Sequence, residues 1–269
     1  MDKIANFVGS IPEHYDRGLG PVIFVDYADD MAKRVAALQP DRVLEIAAGT
    51  GIVTRRLRDQ LPAGAELTAT DLNPPMLEVA RQKLAAGEQV TFRQADALAL
   101  PFPDASFDVV VCQFGVMFYP DKDKSFREAL RVLRPGGHYL FSIWDAHEYN
   151  SFGRITHELA ERFFPVDPPQ FLRIPYSYTF EEAKRSALAA GFDDFTATVE
   201  RRIKEVPDFE PFARGLVFGN PFIEQVRARG DVDPEAIVTA LMAALQAEFG
   251  ADPGRVPLQV IMFSARKPD

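Results

Sequence analysis

Glu45-Ile-Ala-Ala-Gly-Thr-Gly51 is a turn of mostly small residues set between a β-branched run and a helical pattern. Small side chains let the backbone approach a ligand, and the helix that follows offers unbonded N–H groups to an anionic part of it. About 20 residues further on, the second apolar run ends in Asp71, at the spacing where dinucleotide folds place a carboxylate on ribose. One carboxylate can accept both ribose hydroxyls of an adenosine, and Leu72 and Met76 would then border the adenine. Asp71 can equally cap the next helix, as can Asn73. A third run ends at Asp96, followed by Ala97, where an acid can accept a hydrogen bond from an adenine amino group. The fourth enters Cys112-Gln113-Phe114-Gly115, whose backbone would border the other end of the ligand. The candidate cofactor contacts at these ends are Glu45, Ala47, Gly49, Thr50, Gly51, Asp71, Leu72, Met76, Asp96, Ala97 and Gln113. Thr54 stands where a nicotinamide fingerprint G-x-G-x-x-G has its third glycine, which counts against a dehydrogenase.

These residues need a scaffold that brings strand ends together. From residue 41 to about 144, short apolar runs alternate with helical patterns, the rhythm of parallel strands joined by crossover helices. The pattern predicts strands over 42–47, 66–70, 90–94, 107–112 and 138–143, apolar enough to be covered on both faces. Helices are predicted over 53–60, 75–86 and 124–133, with Pro135-Gly136-Gly137 ending the last. Ahead of them, 20–38 reads as an amphipathic helix with Phe24, Tyr27, Met31 and Val35 about a turn apart. Beyond Trp144 the rhythm changes. Helical stretches over 151–164 and 179–190 flank a Pro-rich loop, Gly191 stops the second, and a strand over 195–206 follows. A helical insertion over 209–249 precedes a last strand over 258–264. One domain over 1–269 is expected: a helical cap (1–40), a cofactor-binding core (41–145), helical lid pieces (146–190 and 207–256) and closing strands (191–206 and 257–269).

The chain has 269 residues, with 30 Lys plus Arg against 39 Asp plus Glu, and its net charge of −9 disfavours a polyanion-binding surface. A single cysteine, Cys112, excludes an internal disulfide and a Cys-cluster metal site, so no metal is expected. Asp108, Gln113 and Gly115 interrupt the most apolar stretch, so no membrane span is expected. The N-terminus lacks a basic region followed by an apolar one, and a cytoplasmic protein is the expectation.

Val43-Leu-Glu-Ile-Ala-Ala-Gly-Thr-Gly51, Thr70-Asp-Leu-Asn-Pro-Pro-Met-Leu-Glu-Val-Ala80, Gln94-Ala-Asp-Ala97, Pro103-Asp-Ala-Ser-Phe-Asp-Val-Val-Val-Cys112 and Leu133-Arg-Pro-Gly-Gly137 occur in this order. The series resembles class I S-adenosylmethionine-dependent methyltransferases, most of all the branch containing quinone-biosynthesis and small-molecule enzymes. The resemblance covers about 41–144 and implies a Rossmann-like, doubly wound α/β sheet of seven strands, mostly parallel with an antiparallel last strand, plus helical lid insertions. It implies S-adenosyl-L-methionine as cofactor and S-adenosyl-L-homocysteine as product. Gly49 and Gly51 would line the methionine end, Asp71 the ribose, Asp96 the adenine amino group, and Gln113 would sit beside the methionine. The family commonly has glycine where this chain has Ala47. Asn73-Pro74-Pro75 follows the second strand, whereas the Asn-Pro-Pro-aromatic motif of nucleic-acid and protein methyltransferases follows the fourth.

Methyl transfer from a sulfonium is in-line, so positioning and exclusion of water can supply much of the acceleration. A phenol or alcohol acceptor would gain from a base, for which His14 and His147 are candidates. Tyr15, Tyr119, Phe212 and Phe218 are candidate contacts of a small organic acceptor. The chain has 22 phenylalanines, many beyond Trp144, and aromatic walls suit an apolar or planar molecule. The same rings can simply pack the added helices. A nicotinamide-dependent oxidoreductase and a non-catalytic cofactor-binding protein of the same fold are the competing readings.

Overall fold

The computed structural model describes residues 6–251 and 253–269, so the N-terminal residues read for a secretory signal and the start of the expected 1–40 cap lie largely outside the described residues. Seven strands are present: β1 (Arg42–Ile46), β2 (Glu66–Asp71), β3 (Thr91–Gln94), β4 (Phe107–Gln113), β5 (Leu133–Trp144), β6 (Asp193–Val206) and β7 (Gly254–Arg266). They form one sheet in the order β3-β2-β1-β4-β5-β7-β6. Neighbours from β3 to β5 are parallel, while β7 runs antiparallel to both β5 and β6. The strand order reverses between β1 and β4, and a crevice opens outside the strand C-termini at such a point.

The central strands are buried on both sides. Val43, Val109 and Val111 share one apolar cluster with α2 (Val25–Ala37) and α3 (Ile52–Gln60), while Leu44, Val110 and Cys112 join a second with α5 (Lys122–Val132) and α7 (Phe180–Ala190). Side chains alternate across a strand, so a continuous apolar run supplies both clusters. Gly191, at φ +107, ends α7 as expected.

Two local expectations are corrected. Pro135-Gly136-Gly137 does not end a helix; α5 stops at Val132 and β5 begins at Leu133, opposite Phe107. The next pair is Val109 with His138, so Pro-Gly-Gly is taken up as an irregularity in the ladder. Added atoms at Gly137 would meet the Arg134 and Asp108 carbonyls at 2.9 Å. The second crossover helix, α4 (Pro74–Arg81), is also shorter than the predicted 75–86.

The N-terminal helix is longer than the predicted 20–38. α1 (Ile11–His14) leads into a π-helical segment, Tyr15–Phe24, and then directly into α2. The Val25 N–H bonds to the Gly20 carbonyl, the wide i to i−5 closure of such a helix. Gly18 and Gly20 serve packing. A Cβ on Gly18 would lie 2.6 Å from Gly215 Cα in α8 (Phe209–Phe218). α2 itself is laid along β6 by three ion pairs: Asp26–Lys204 at 3.0 Å, Asp30–Arg202, and Arg34–Glu200 at 2.5 Å. Four residues of helix rise about 6.0 Å and two of strand about 6.6 Å, so the two spacings match.

The insertion between β6 and β7 comprises α8, α9 (Phe222–Arg229) and α10 (Pro234–Phe249). α8 packs on the π-helical segment and α10 on both α8 and α6 (Ser151–Phe163), which brings Leu216 of α8 to the crevice. Among the described residues no helix is long and apolar enough to cross a membrane. Because Gly215 and Gly18 meet backbone to backbone, Gly215→Ala should destabilise the fold by about 1–3 kcal/mol, the usual cost of overpacking, although alanine favours helix. Denaturant unfolding measures this, and an unchanged midpoint would show that the segment shifts aside freely.

Candidate active site

The turn after β1 takes a left-handed path, with φ +54 at Ala47, +56 at Gly49 and +78 at Gly51. Gly51 is held by packing, since a Cβ there would sit 2.6 Å from Ala80 Cβ in α4. Thr54, which departs from the dinucleotide fingerprint, is buried and donates its hydroxyl to Glu45 Oε2 at 2.6 Å. Burial pushes the Glu45 carboxyl up to about 8, Asp71 adding to the rise and the Thr54 bond opposing it.

Asp71 is buried at the end of β2 and binds the turn to it. Its Oδ2 accepts the Gly49 N–H at 2.9 Å, and its Oδ1 accepts the Asn73 N–H at 2.8 Å. Burial raises its pKa, against the pull of these backbone bonds. Oδ1 also accepts from the Asn73 side-chain amide at 3.3 Å, so of the carboxylate's about four lone-pair sites most are used, and a ligand hydroxyl would take a remaining one or replace this long amide bond.

A cleft of about 1270 Å3, counting its open mouth, runs across these strand ends. Ala47, Gly49, Asp71, Leu72, Met76, Asp96, Ala97 and Gln113 line it. Glu45 and Thr50 line an adjoining recess shared with Gly49, Gln113, Tyr15 and Phe24, while Gly51 lines neither. Asp96 is exposed and its Oδ1 accepts the Leu98 N–H at 2.9 Å. In the recess, Thr50 Oγ1 and Gln113 Oε1 are buried without a partner among the described residues. A buried polar atom left unpaired is costly, so these two fit a ligand end bearing its own donors and acceptors. The amino-acid end of S-adenosylmethionine is such a group, and Asp71 fits its ribose.

The other half of the cleft is aromatic. Trp144, at the end of β5, stacks on Phe114 with ring centres 4.4 Å apart, and Phe152 and Tyr176 continue the wall. At the mouth Phe118 stacks on Phe171 at 5.8 Å and Phe7 meets both edge-on. Leu216 and Asn220 reach in from α8 and the turn after it. The titratable residues lining the cleft are Tyr15, Asp71, Tyr119, Tyr176 and Asp96; among the described residues no histidine, lysine, glutamate or cysteine does so. Burial drives the phenols of Tyr15, Tyr119 and Tyr176 well above their ordinary range, so at neutral pH they are donors rather than bases.

Tyr15 and Tyr119 line the cleft, whereas four other acceptor-side candidates lie outside it. His14 packs on Phe218 at 5.3 Å, its pKa lowered by burial and then by Arg214. His147 stands behind Tyr176, 4.2 Å from its ring, and is lowered by burial and by His157. Phe212 is fully buried against Phe152, and Phe218 faces His14 and Arg214. On α8, Leu216 and not Phe212 reaches the cleft, because the larger ring one turn earlier is taken up by the core. Trp144, Tyr176 and Phe171 were not singled out as site residues. The strand-end logic that found Gln113 also reaches Trp144, while the loop residues had no sequence signal beyond their aromatic character.

Residues 44–141 match the methyltransferase domain model Methyltransf_11. A demethylmenaquinone methyltransferase of Thermus thermophilus is 41% identical over 127 residues, 47% of this chain and 57% of that protein. The ubiquinone/menaquinone biosynthesis C-methyltransferase UbiE of Pseudomonas aeruginosa is 45% identical over 170 residues, 58% and 66% of the two chains. The chain thus spans little more than half the length of the former. Among solved structures, phosphoethanolamine N-methyltransferase 2 of Haemonchus contortus, in complex with S-adenosyl-L-methionine, aligns with a TM-score of 0.62 at 21% identity, over all of this chain and 61% of that one. The cyclase SpnF aligns with a TM-score of 0.54 at 22% identity, over 93% and 85%, so the fold alone does not specify the reaction. Residues 44–141 are thus a methyltransferase domain, and by its motifs, sheet order and relatives the chain is similar to the class I S-adenosylmethionine-dependent methyltransferases, among them enzymes of quinone biosynthesis.

Proposed function

We propose that the protein transfers the methyl group of S-adenosylmethionine to a carbon of a small, planar, apolar acceptor of the quinol class. The observation that carries this reading is the continuity of the cleft: Asp71 and the Gly-rich turn at one end open directly into an aromatic chamber at the other. The relatives named for demethylmenaquinone and for C-methyl transfer point to the same acceptor chemistry. In this reading the chain is one catalytic unit, with 146–190 and 207–256 as its lid, acting in the cytoplasm on a small molecule.

The bound cofactor supplies an electrophilic methyl group on a sulfonium. Asp71 holds its ribose, Asp96 and Met76 its adenine, and Glu45, Thr50 and Gln113 its amino-acid end. Trp144, Phe114 and Tyr176 hold the acceptor plane and keep water out, so alignment does most of the work. Attack by an electron-rich ring carbon releases S-adenosylhomocysteine, and the ring proton lost as the ring regains aromaticity passes to water at the open mouth of the cleft; His14 and His147, outside the cleft, are not called on. Thr54 serving Glu45 disfavours the nicotinamide alternative.

Calorimetry should show binding of S-adenosylhomocysteine and none of NAD. Asp71→Ala should weaken that binding by about 1.5–3 kcal/mol, the range for hydrogen bonds to a charged group; unchanged affinity would remove the ribose role. Labelled cofactor screened against quinol, phenol and amine acceptors should give turnover with the first, and binding without turnover on any acceptor would favour the non-catalytic alternative.

The raised Glu45 pKa has a definite sign. In the free protein this carboxyl adds stability below its ordinary value of 4.5, and that contribution is lost as pH rises through about 8. Glu45→Gln should flatten this part of the stability profile. A ligand ammonium beside Glu45 favours its ionised form, so binding at pH 7 should release a proton from the wild type and none from Glu45→Gln. Calorimetric enthalpies in buffers of different ionisation heat measure this directly, and equal release by both proteins would place the ammonium elsewhere.

On the acceptor side, Tyr176→Ala or Leu216→Ala should raise acceptor KM by about tenfold, as expected for 1.4 kcal/mol of lost contact. Phe212→Ala and Phe218→Ala should lower thermal stability and leave KM of the folded fraction unchanged. A KM effect of Phe212→Ala equal to that of Leu216→Ala would return Phe212 to the acceptor wall.

A further inference from the structure

Gln113 lies at the end of β4, where it borders both the recess at the Gly-rich turn and the main cleft. Its side-chain amide is used on one side only. Nε2 donates to the Phe24 carbonyl at 3.3 Å, while Oε1 is buried without a partner among the described residues. The orientation of the amide follows from chemistry, because a carbonyl can only accept and the reverse assignment would set two oxygens against each other.

Phe24 is the junction between the π-helical segment and α2. Its ring stacks on Tyr15 at 4.8 Å, and Tyr15, Leu19, Ile23 and Phe24 together form one wall of the cleft. The segment is wound more loosely than an α-helix, and such stretches occur often at functional sites. Its outer side rests on α8 through Gly18 and Gly215, a contact with no side chains to key it. On the site-facing side, Gln113 is the polar side chain joined to its backbone by a hydrogen bond.

We propose that Gln113 is a positioning residue that couples ligand binding at the Gly-rich turn to closure of the Tyr15–Phe24 segment over the acceptor chamber. This rests on the reading that the recess takes the amino-acid end of S-adenosylmethionine. Oε1 can only accept, so it calls for an N–H donor, and the ammonium is the donor at that end of the ligand. An amide that accepts at its oxygen is polarised and donates more strongly through its nitrogen, which would tighten the 3.3 Å bond to Phe24. Cofactor would then bind first and build the wall against which the acceptor packs.

The test needs no acceptor. Hydrogen exchange of the wild type, with and without saturating S-adenosylhomocysteine, should slow across residues 15–24 by about 5- to 150-fold, the usual span of coupling between sites. Emission from the single tryptophan, Trp144, 6.2 Å from the Phe24 ring, should change in the same titration. Gln113→Glu keeps acceptor oxygens for the ammonium and removes the donor to Phe24. It should retain calorimetric binding of S-adenosylhomocysteine yet lose the slowing and the Trp144 response. Gln113→Leu should lose both affinity and slowing. Slowing in Gln113→Glu equal to wild type, or affinity of Gln113→Glu as poor as that of Gln113→Leu, would overturn the coupling. So would a wild type that binds S-adenosylhomocysteine without slowed exchange in 15–24, a result independent of whether either variant folds. A wild type that does not bind S-adenosylhomocysteine would instead overturn the proposed function, and the coupling with it.

Discussion

The hydrogen bond from the Gly49 N–H to the Asp71 carboxylate is the contact on which the site depends. Beside the bond from the Ala48 N–H to the Thr70 carbonyl and that from the Thr70 hydroxyl to the Glu45 carbonyl, both at 2.9 Å, it joins the turn after β1 to the end of β2. With that bond made, the turn is drawn toward α4 until only glycine fits at position 51, and a carboxylate is set at the floor of the cleft. The desolvation of Asp71 is offset by backbone donors from Gly49 and Asn73 rather than by a cation. An unfilled share of its lone pairs, facing a cleft with no competing lysine or arginine among its described lining residues, is what makes the position receptive to neutral hydroxyls.

The core was legible because its signals are local. β1, β2 and β4 are short and mostly buried runs, β3 is a more exposed edge strand in the same rhythm, and Asp71, Asp96 and Gln113 stand at or just past strand ends, so strand rhythm and residue type together located the cleft. The N-terminal segment was not, because Gly18, Gly20 and Pro21 are helix-breaking in isolation, and only contact with α8 and Ile52 shows why small residues stand there. Pro135-Gly136-Gly137 misled for a related reason. It sits where a helix would stop, but one turn earlier the chain had already joined β4, and the ladder accommodated the extra residues. Thr54 was read correctly as a departure from one fingerprint, yet its partner Glu45 lies nine residues back on a strand, a pairing that only the strand-to-helix turn creates.

The acceptor half shows a different limit. Phenylalanine is common throughout the later part of the chain, and nothing in its spacing says which rings face the cleft. On α8 the choice falls to Leu216 because Phe212 is needed against Phe152 to seat the insertion on α6. The histidines were attractive as bases, but His14 packs on Phe218 and His147 on Tyr176, and neither lines the cleft. A chamber walled by rings and phenols holds a planar molecule well and supplies little proton chemistry.

Two non-glycine residues with positive φ, Ala47 and Phe114, end the neighbouring strands β1 and β4. Such conformations cost of order 1–3 kcal/mol and persist where the surroundings over-determine them. Here each removes room from the other side: a Cβ on Gly115, the residue after Phe114, would lie 2.6 Å from Ala47 Cβ and 2.7 Å from Cys112 Sγ. The alanine where the family commonly has glycine is therefore matched by a glycine on the adjacent strand, and the close approach of the two strand ends is kept. Phe114, turned by its left-handed backbone, delivers its ring to Trp144 at 4.4 Å, while Gln113 just before it faces the recess. Gln113 and Phe114 both border the recess and the main cleft, so this one strand terminus joins the two, its amide bonded to the Phe24 carbonyl and its ring stacked on Trp144.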